Sequence, residues 1–483
     1  MTPLLGFAPD MEAPTVGVIT DCTNFVPYLT GMEAAPLPAT PAGVPVLAAE
    51  CRGAAVATRL DGTRRVIAGT TTKLYELAGG VWLDRSRAAP YTGGGDTRWS
   101  FTQLGDAIIA ANRADTIQRS TSGVFADIAS APKAEIVFSV GAFVMALNTN
   151  DGTEKPNGWH CCASFDDTSW TPSIATQATR GQLVATPGAL TAGLRLGEYA
   201  VAYKNRSIYL GQYVGAPNVW DWLLVPGGEA GCVGKEALTD IGGAHFFVGP
   251  DNFWIFDGTR PQPVGVDQVR QWFYDNSNPS FLYRTKCVFD RQQNRVWVFY
   301  PSLNSEVCNA ALVYHVQRKQ WGRSDFTVEA AINYIGSGLT IDTLNTVAAT
   351  IDTLPNVSFD SQYWLAGGAS LSFFSTAHQL QSLTGAANTS SFTTGDGGDD
   401  DTVTLLKQIR LRYAAARAPT SATATAFRKQ TSGGSYTQVK TGTLNDGKFD
   451  VLQSARWHRA RFDFVGPVRV TGINPTLTKA GMR

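Results

Sequence analysis

The sequence predicts an all-β fold built on a β-propeller of about six to seven blades, some of them irregular. Three observations carry that expectation. Helix-length windows free of breakers are scarce, because 48 Gly and 24 Pro are spread along the 483 residues. Short apolar runs bounded by Gly, Asn, Asp or Pro recur, which is the strand-and-turn pattern. The units resemble one another. They open at Asp61, Gly105, Gly141, Gly197, Gly242, Asp290 and Asp360, and each reads turn, apolar strand, turn, strand. Their spacings of 44, 36, 56, 45, 48 and 70 residues form a noisy period in the forties, as a propeller leaves in sequence. A lone hairpin buries one face poorly, whereas a blade packed between two neighbours buries both and shields its inner strands from stray pairing.

The clearest strands lie at 64–69, 73–77, 107–112, 143–148, 199–204, 207–213, 245–249, 253–258, 294–302 and 310–316. Trp82, Trp170, Trp222, Trp254 and Trp321 close the units and suit packing between blades. One short helix is expected within 266–275, with Val266, Val269 and Phe273 on one face. The 70-residue spacing contains an insertion near 330–360 with its own repeat, "TIDTLNTVAA" then "TIDTLPNVSF".

The predicted division is an extended Pro/Ala-rich arm over 1–50, the propeller over 51–384, an acidic Gly-rich linker or loop over 385–401, and a small antiparallel β domain over 402–483. In the last, "WHRARFDFV" (457–465) alternates: Trp457, Arg459, Arg461 and Asp463 face one way, and His458, Ala460, Phe462 and Phe464 the other.

Lys+Arg and Asp+Glu number 40 each, so net charge gives no argument for wrapping nucleic acid. The balance hides an asymmetry. From Asp401 onward there are 14 Lys+Arg against 4 Asp, an excess of ten positive charges. Such an end suits an acidic partner, a phosphate backbone or the chain's own acidic body. The seven cysteines are odd in number and irregular in spacing, as expected of reduced, largely buried thiols. The N-terminus lacks the pattern of a secretory signal, and no run is long and apolar enough for a membrane span, so no membrane insertion is expected.

Motifs for chemistry are weak. The five histidines fall in no zinc spacing. His160-Cys161-Cys162 would point successive side chains to opposite faces of a strand. There is no nucleophile elbow, phosphate loop or dinucleotide fingerprint. "SFDDTSW" (164–170) is near an Asp-box, which is a structural turn. Asp106 and Asp115, read alone, are candidate carboxylates, but their place in the repeat makes them turn residues. "GDGGDDD" (395–401) offers oxygen ligands for Ca²⁺ without EF-hand spacing. No catalytic residue, metal or cofactor is expected. Arg456, Arg459 and Arg461 form a basic cluster suited to a neighbouring subunit or to phosphates.

The ordered set "KLYEL…W" (73–82), "RWSFTQLGDAIIAAN…IQ" (98–118), "GW…SFDDTSWTPS" (158–173), "FWIFDGTRPQPVGVDQVRQWF" (253–273), "IDTL…IDTLP" (341–355) and "DGKFDV…ARWHRARFDF" (446–464) resembles tail nozzle or tail hub proteins of short-tailed bacteriophages, also described as packaged-DNA stabilisation or tail tubular proteins. The resemblance implies a non-enzymatic virion tail protein, assembled in the host bacterial cytoplasm. It implies a homo-oligomer, a hexameric ring below the portal and adaptor, that continues the DNA channel, retains packaged double-stranded DNA and then lets it pass. It also implies docking surfaces for fibres, spikes or tip proteins. The alternative is a phage tail-associated propeller enzyme or carbohydrate-binding module acting on host surface polysaccharide.

Overall fold

The computed structural model describes residues 2–227, 229–335, 350, 352 and 369–482. Among the described residues the chain is β apart from a short α-helix, Arg270–Asn276, and brief 3₁₀ turns such as Pro279–Arg284. The "IDTL" repeat lies almost wholly outside the described residues.

The propeller consists of antiparallel four-stranded meanders. Six are free-standing sheets, over 54–84, 100–127, 133–182, 192–224, 238–264 and 330–385. A seventh meander, 286–324, stands between the last two, and its strands continue into a larger sheet. The inner strands contact one another in succession, and Ala330–Tyr334 returns to Ala54–Thr58 to close the ring. The final blade has three strands from its own stretch; its fourth is Leu37–Ala39, paired with Leu380–Gly385. The ring is thus latched by a strand from the start of the chain.

Local chemistry explains the blades. Gly105, Gly141 and Gly197 turn each inner strand into the next with φ of 57°, 55° and 59°, a left-handed conformation that L side chains resist. The strands that follow, such as Ala107–Ala111, are buried along their whole length, because a blade is covered on both faces. Rings join neighbouring blades: Trp159 meets Trp222 at 5.6 Å, Phe253 meets Trp321 at 4.9 Å, and Trp82 meets Phe374 across the closure at 5.9 Å. Such ring pairs add about 0.5–1.5 kcal/mol each beyond area burial.

The ends of the chain depart from the expectation. Residues 1–50 are not a free arm. Val18–Thr23 pairs with Thr389–Thr394, and Gly31–Ala34 pairs with the start of Arg469–Met482. Residues 385–401 are not a bare linker either, since they hold Thr389–Thr394 and Gly397–Gly398, both paired to Trp457–Val465. Together, 2–34 and 389–482 make two sheets packed face to face over Phe25, Phe392, Phe449, Phe462 and Phe464. The physical reason is burial. Phe25, Val26 and Met32 are fully buried, and an extended arm would leave them in water at about 1.5–3 kcal/mol per side chain.

The two-sheet body and the propeller share a sheet. Gln320–Ser324, the outer strand of the 286–324 blade, adjoins Phe25–Tyr28, which leads on to Gly31–Ala34, Arg469–Met482, Thr402–Tyr413 and Lys448–Ala455. At the joint, Gly322 leaves no room for a side chain: a Cβ would stand 2.5 Å from the Phe25 carbonyl oxygen and 2.8 Å from Val26 Cα.

The helix starts later than its apolar spacing predicts. Val269 and Phe273 are buried, but Val266 is 38% exposed, because 265–269 is a turn whose Gly265 carbonyl accepts from Gln268, Val269 and Arg270. Asp10, from the N-terminal stretch, caps the helix by accepting from Gln271 N at 2.7 Å and Trp272 N at 2.9 Å.

Candidate functional site

Two places concentrate polar chemistry: one mouth of the central channel, and the basic strand of the two-sheet body.

Residues of all seven inner strands, among them Ala55, Phe101, Val137, Leu194, Leu238 and Val288, line one central cavity of about 240 Å³. Charge gathers where those strands begin. A cavity of about 200 Å³ there is lined by Asp96, Arg98, Glu135, Lys235, Glu236 and Arg284, among others. Lys235 Nζ lies 2.6 Å from Glu135 Oε1 and also donates to the Arg98 carbonyl at 2.6 Å. Lys286 Nζ is 2.7 Å from Glu236 Oε2. Arg98 donates to the Glu329 carbonyl at 2.8 Å, and Arg284 pairs with Asp96, which also accepts from the Tyr283 hydroxyl at 3.0 Å. Burial pushes the Glu236 carboxyl up, but Lys286, Arg98 and Lys235 outweigh it and hold the group below the usual carboxylate range. Only Lys286–Glu236 joins successive blades; Lys235–Glu135, Arg284–Asp96 and Arg98–Glu329 join blades that are not neighbours in the ring. They fix the mouth, and each charge named here is held by a neighbour rather than poised as a nucleophile or proton donor. The expectations above missed this ring. Its trace in the sequence is a charged residue just before or at the first residues of an inner strand: Arg98, Lys235-Glu236, Arg284, Lys286 and Glu329.

In the two-sheet body the basic cluster meets the acidic loop. Asp396 is buried. Its Oδ1 accepts from Arg459 Nη2 at 2.6 Å, and its Oδ2 accepts from Lys429 Nζ at 2.8 Å. Burial raises the Asp396 carboxyl; hydrogen bonds from Lys429 and Arg459 prevail and hold it below its ordinary value. The Arg459 guanidinium lies 4.3 Å from the Tyr436 ring centre, and Lys429 Nζ lies 4.7 Å from the same ring. Asp400 accepts from Trp457 Nε1 at 2.6 Å, and Asp399 Oδ1 from the Asp401 amide at 3.0 Å. The acidic loop therefore spends its oxygens on its own chain. Among the described residues, no three His, Cys, Asp or Glu side chains gather as a metal site. Arg461 remains exposed beside Asp463 at 3.0 Å, and Arg456 donates to the Gln430 carbonyl at 3.4 Å. Of the three candidate arginines, Arg459 is thus committed inside the fold and Arg461 keeps an outward face.

The charge asymmetry along the sequence largely cancels in space. Residues 41–335 hold 26 Lys+Arg and 26 Asp+Glu, whereas 1–40 hold four acids and no Lys or Arg. One of those acids, Glu33, reaches Arg469 at 2.8 Å and the buried Arg295 at 2.6 Å, with both guanidiniums over the Tyr28 ring.

The remaining candidates are structural. His160 Nε2 is 2.7 Å from the Trp170 carbonyl, and burial holds its pKa down. All seven cysteines are buried free thiols, and burial pushes Cys161 up to about 11 and Cys162 up to about 12, away from thiolate chemistry. Asp106 accepts from the Leu60 amide at 2.7 Å, between two blades. Asp115 is buried and takes Arg87 at 2.7 Å together with Asn112 and Thr92. In the near-Asp-box, Asp166 Oδ1 accepts from the Thr168 amide at 3.0 Å and its hydroxyl at 2.6 Å. The same Asp-x-Thr turn recurs at Asp61/Thr63 and Asp257/Thr259, a repeated device of the blades rather than a site.

No family model and no curated protein sequence matches the chain. Solved propeller structures are distantly similar. PorZ, an essential bacterial surface component of the type-IX secretion system of Porphyromonas gingivalis, aligns at 12% identity and a TM-score of 0.36, over 68% of this chain and 37% of its own. YCF48 bound to D1 peptide aligns at 12% identity and a TM-score of 0.31, over 59% of this chain and 88% of its own. YCF48 from Cyanidioschyzon merolae aligns at 10% identity and 0.34, over 60% and 88%. The likeness is one of propeller fold and says nothing about activity.

Proposed function

We propose that the chain is a structural subunit of a short-tailed phage virion: a nozzle or hub protein whose ring continues the DNA channel below the portal and adaptor, retains packaged DNA and anchors fibres or tip proteins. The observation that carries this reading is the shared sheet. The propeller's latch strand, Leu37–Ala39, and the two-sheet body's strands, Phe25–Tyr28 and Gly31–Ala34, come from one stretch of chain, and one sheet continues from blade to body. A body so cross-tied suits mechanical work: a load on either region is met by backbone hydrogen bonds and buried rings. The sequence resemblance supplies the ring and its place in the tail.

The test is assembly. The purified chain, alone and mixed with its cognate portal–adaptor complex, is sized by light scattering and imaged in negative stain. Six-membered rings in either sample support the reading. A chain that stays monomeric in both and depolymerises host surface polysaccharide overturns it. That second reading, a carbohydrate-directed propeller, has one observation in its favour. Phe165 stands 85% exposed with φ of +59°, and Tyr213, 44% exposed, packs on the adjacent Phe143. Aromatic rings held out in this way can stack on sugars.

A further inference from the structure

We infer that the outer face of the two-sheet body, centred on Arg410 and Arg412, binds the phosphate backbone of double-stranded nucleic acid without reading its sequence. Thr402–Tyr413 alternates so that Leu406, Ile409 and Leu411 enter the core while Lys407, Arg410 and Arg412 are exposed. Among the described residues, none of these three cations has an acidic side chain in ion-pair contact, although most cations elsewhere in the fold have one. Arg410 lies in register with Lys448 on one side and Asn474 on the other. Like charges directly opposite destabilise a sheet, so an unliganded arrangement of this kind is one that an anion would relieve. The single acid on this face, Asp450, sits 3.3 Å from Lys448 and leaves Arg410 and Arg412 uncompensated.

The chemistry around the cations selects the partner. Arg410 and Arg412 are two residues apart on one face, about 6.8 Å, and a duplex offers one phosphate charge per about 1.7 Å of its axis. The bulges at Leu406/Gln408 and Arg412/Tyr413 bracket Arg410 and Arg412, and the two exposed guanidiniums, with Lys407 beside them, can meet more than one phosphate at once. The neighbours are hydrogen-bonding groups: Gln408 pairs in register with Thr476, and Asn474 flanks Arg410. No aromatic residue occupies the outward positions of these three strands, so there is no platform for stacked bases and no single-strand site. A protein partner would want a desolvated apolar or aromatic anchor; the face offers one exposed leucine, Leu452. Few phosphates are engaged, so binding is weak and its salt dependence is that of a few counterions released, as suits contact with DNA that must still move.

The face belongs to a single copy, so the inference stands without the ring. The full-length chain is titrated into a fluorescent 30-base-pair duplex of random sequence, read by anisotropy from 25 to 200 mM salt. Lys407→Gln/Arg410→Gln/Arg412→Gln is compared with Arg206→Gln on the propeller, and circular dichroism confirms that both fold. The expected result is a slope of log affinity against log salt near −0.9 per phosphate, about −3 in all. The triple variant should lose at least tenfold in affinity and about two to three units of slope. Arg206→Gln should change neither. No duplex binding at 25 mM salt, or equal binding by the triple variant, overturns the inference. A triple variant that loses association between copies while neither protein binds duplex also overturns it, and makes an acidic protein surface the occupant.

Discussion

The propeller and the two-sheet body use the same strands and turns, but they differ in how far a residue reaches for its partner. In the propeller, a strand pairs with the next one along the chain: Arg64–Gly69 lies between Ala54–Thr58 and Leu74–Ala78. In the body, Ile19 faces Thr394 and Glu33 faces Arg469. The propeller pairs most of its charges within itself, with Arg295 and Arg323 reaching acids of the N-terminal stretch. The body balances only when the two ends of the chain meet. Local pairing makes one region legible from sequence and tolerant of local change. Distant pairing makes the other depend on a few residues that bring the ends together.

The largest effect should therefore come from Glu33. Glu33→Ala removes the carboxylate shared by Arg469 and Arg295, and the Arg295 side chain is only 2% exposed. Leaving a buried cation unpaired costs about 3–5 kcal/mol. Urea unfolding should show a loss of that size; a loss below about 1 kcal/mol would mean that the ends are held by something else. Next comes the joint. Gly322→Ala forces a methyl group against Phe25 and Val26, a clash worth about 1–3 kcal/mol, and its signature in hydrogen exchange should be faster exchange at Phe25–Tyr28. Unchanged exchange there would break the claim of a tight joint.

Acidity should then act on buried histidines in both regions, since burial also holds His458 in the body below its ordinary value. Burial holds His160, His245 and His315 in the propeller below the ordinary histidine value, His315 down to about 4 with Arg295 and Arg318 adding to the effect. These imidazoles stay neutral when folded and take up protons when unfolded. Between about pH 6.5 and 4 the unfolded state binds more protons, so stability falls as pH falls. Asp396 in the body is depressed, as are Glu76, Asp115 and Glu236 in the propeller; such a contribution is present above the ordinary carboxylate value and is lost only as pH drops below it. Thermal unfolding should weaken from pH 7 to 4.5, and His315→Gln should lessen that loss while Asp396→Asn leaves its slope unchanged. The smallest effect belongs to a repeated turn. Asp166→Ala gives up two local hydrogen bonds and should cost about 1 kcal/mol, measured by the urea midpoint. A larger loss would give that turn a role its counterparts at Asp61 and Asp257 lack.

This contrast explains what could be read in advance. The blade strands at 64–69, 107–112, 253–258 and 294–302 were legible because turn and strand are neighbours in sequence. The alternation in 457–465 correctly separated Phe462 and Phe464, both buried, from Arg461, which is exposed. The strands of the N-terminal stretch were not legible. "FVPY" is broken by Pro27, and the Pro- and Ala-rich surroundings read as an extended arm, although Phe25 stacks on Phe392 at 5.0 Å. Nothing local marks a partner more than 360 residues away. A shorter separation, 63 residues, also hid the fate of the basic cluster. Arg459 was visible as a cation on a strand face, but its neutralisation by Asp396 follows only from how the loop docks. At the channel mouth, single charged residues from different blades look unremarkable until the ring closes.

Removal of residues 2–34, keeping the latch strand Leu37–Ala39, tests the account most directly, with hydrogen exchange read across the remaining chain. Peptides over Thr402–Tyr413 and Arg469–Met482 should lose protection, while Arg64–Gly69, Ala107–Ala111 and Phe143–Asn150 keep theirs. Full protection of 402–482 in the shortened chain would contradict the account and restore that segment as a domain folding alone.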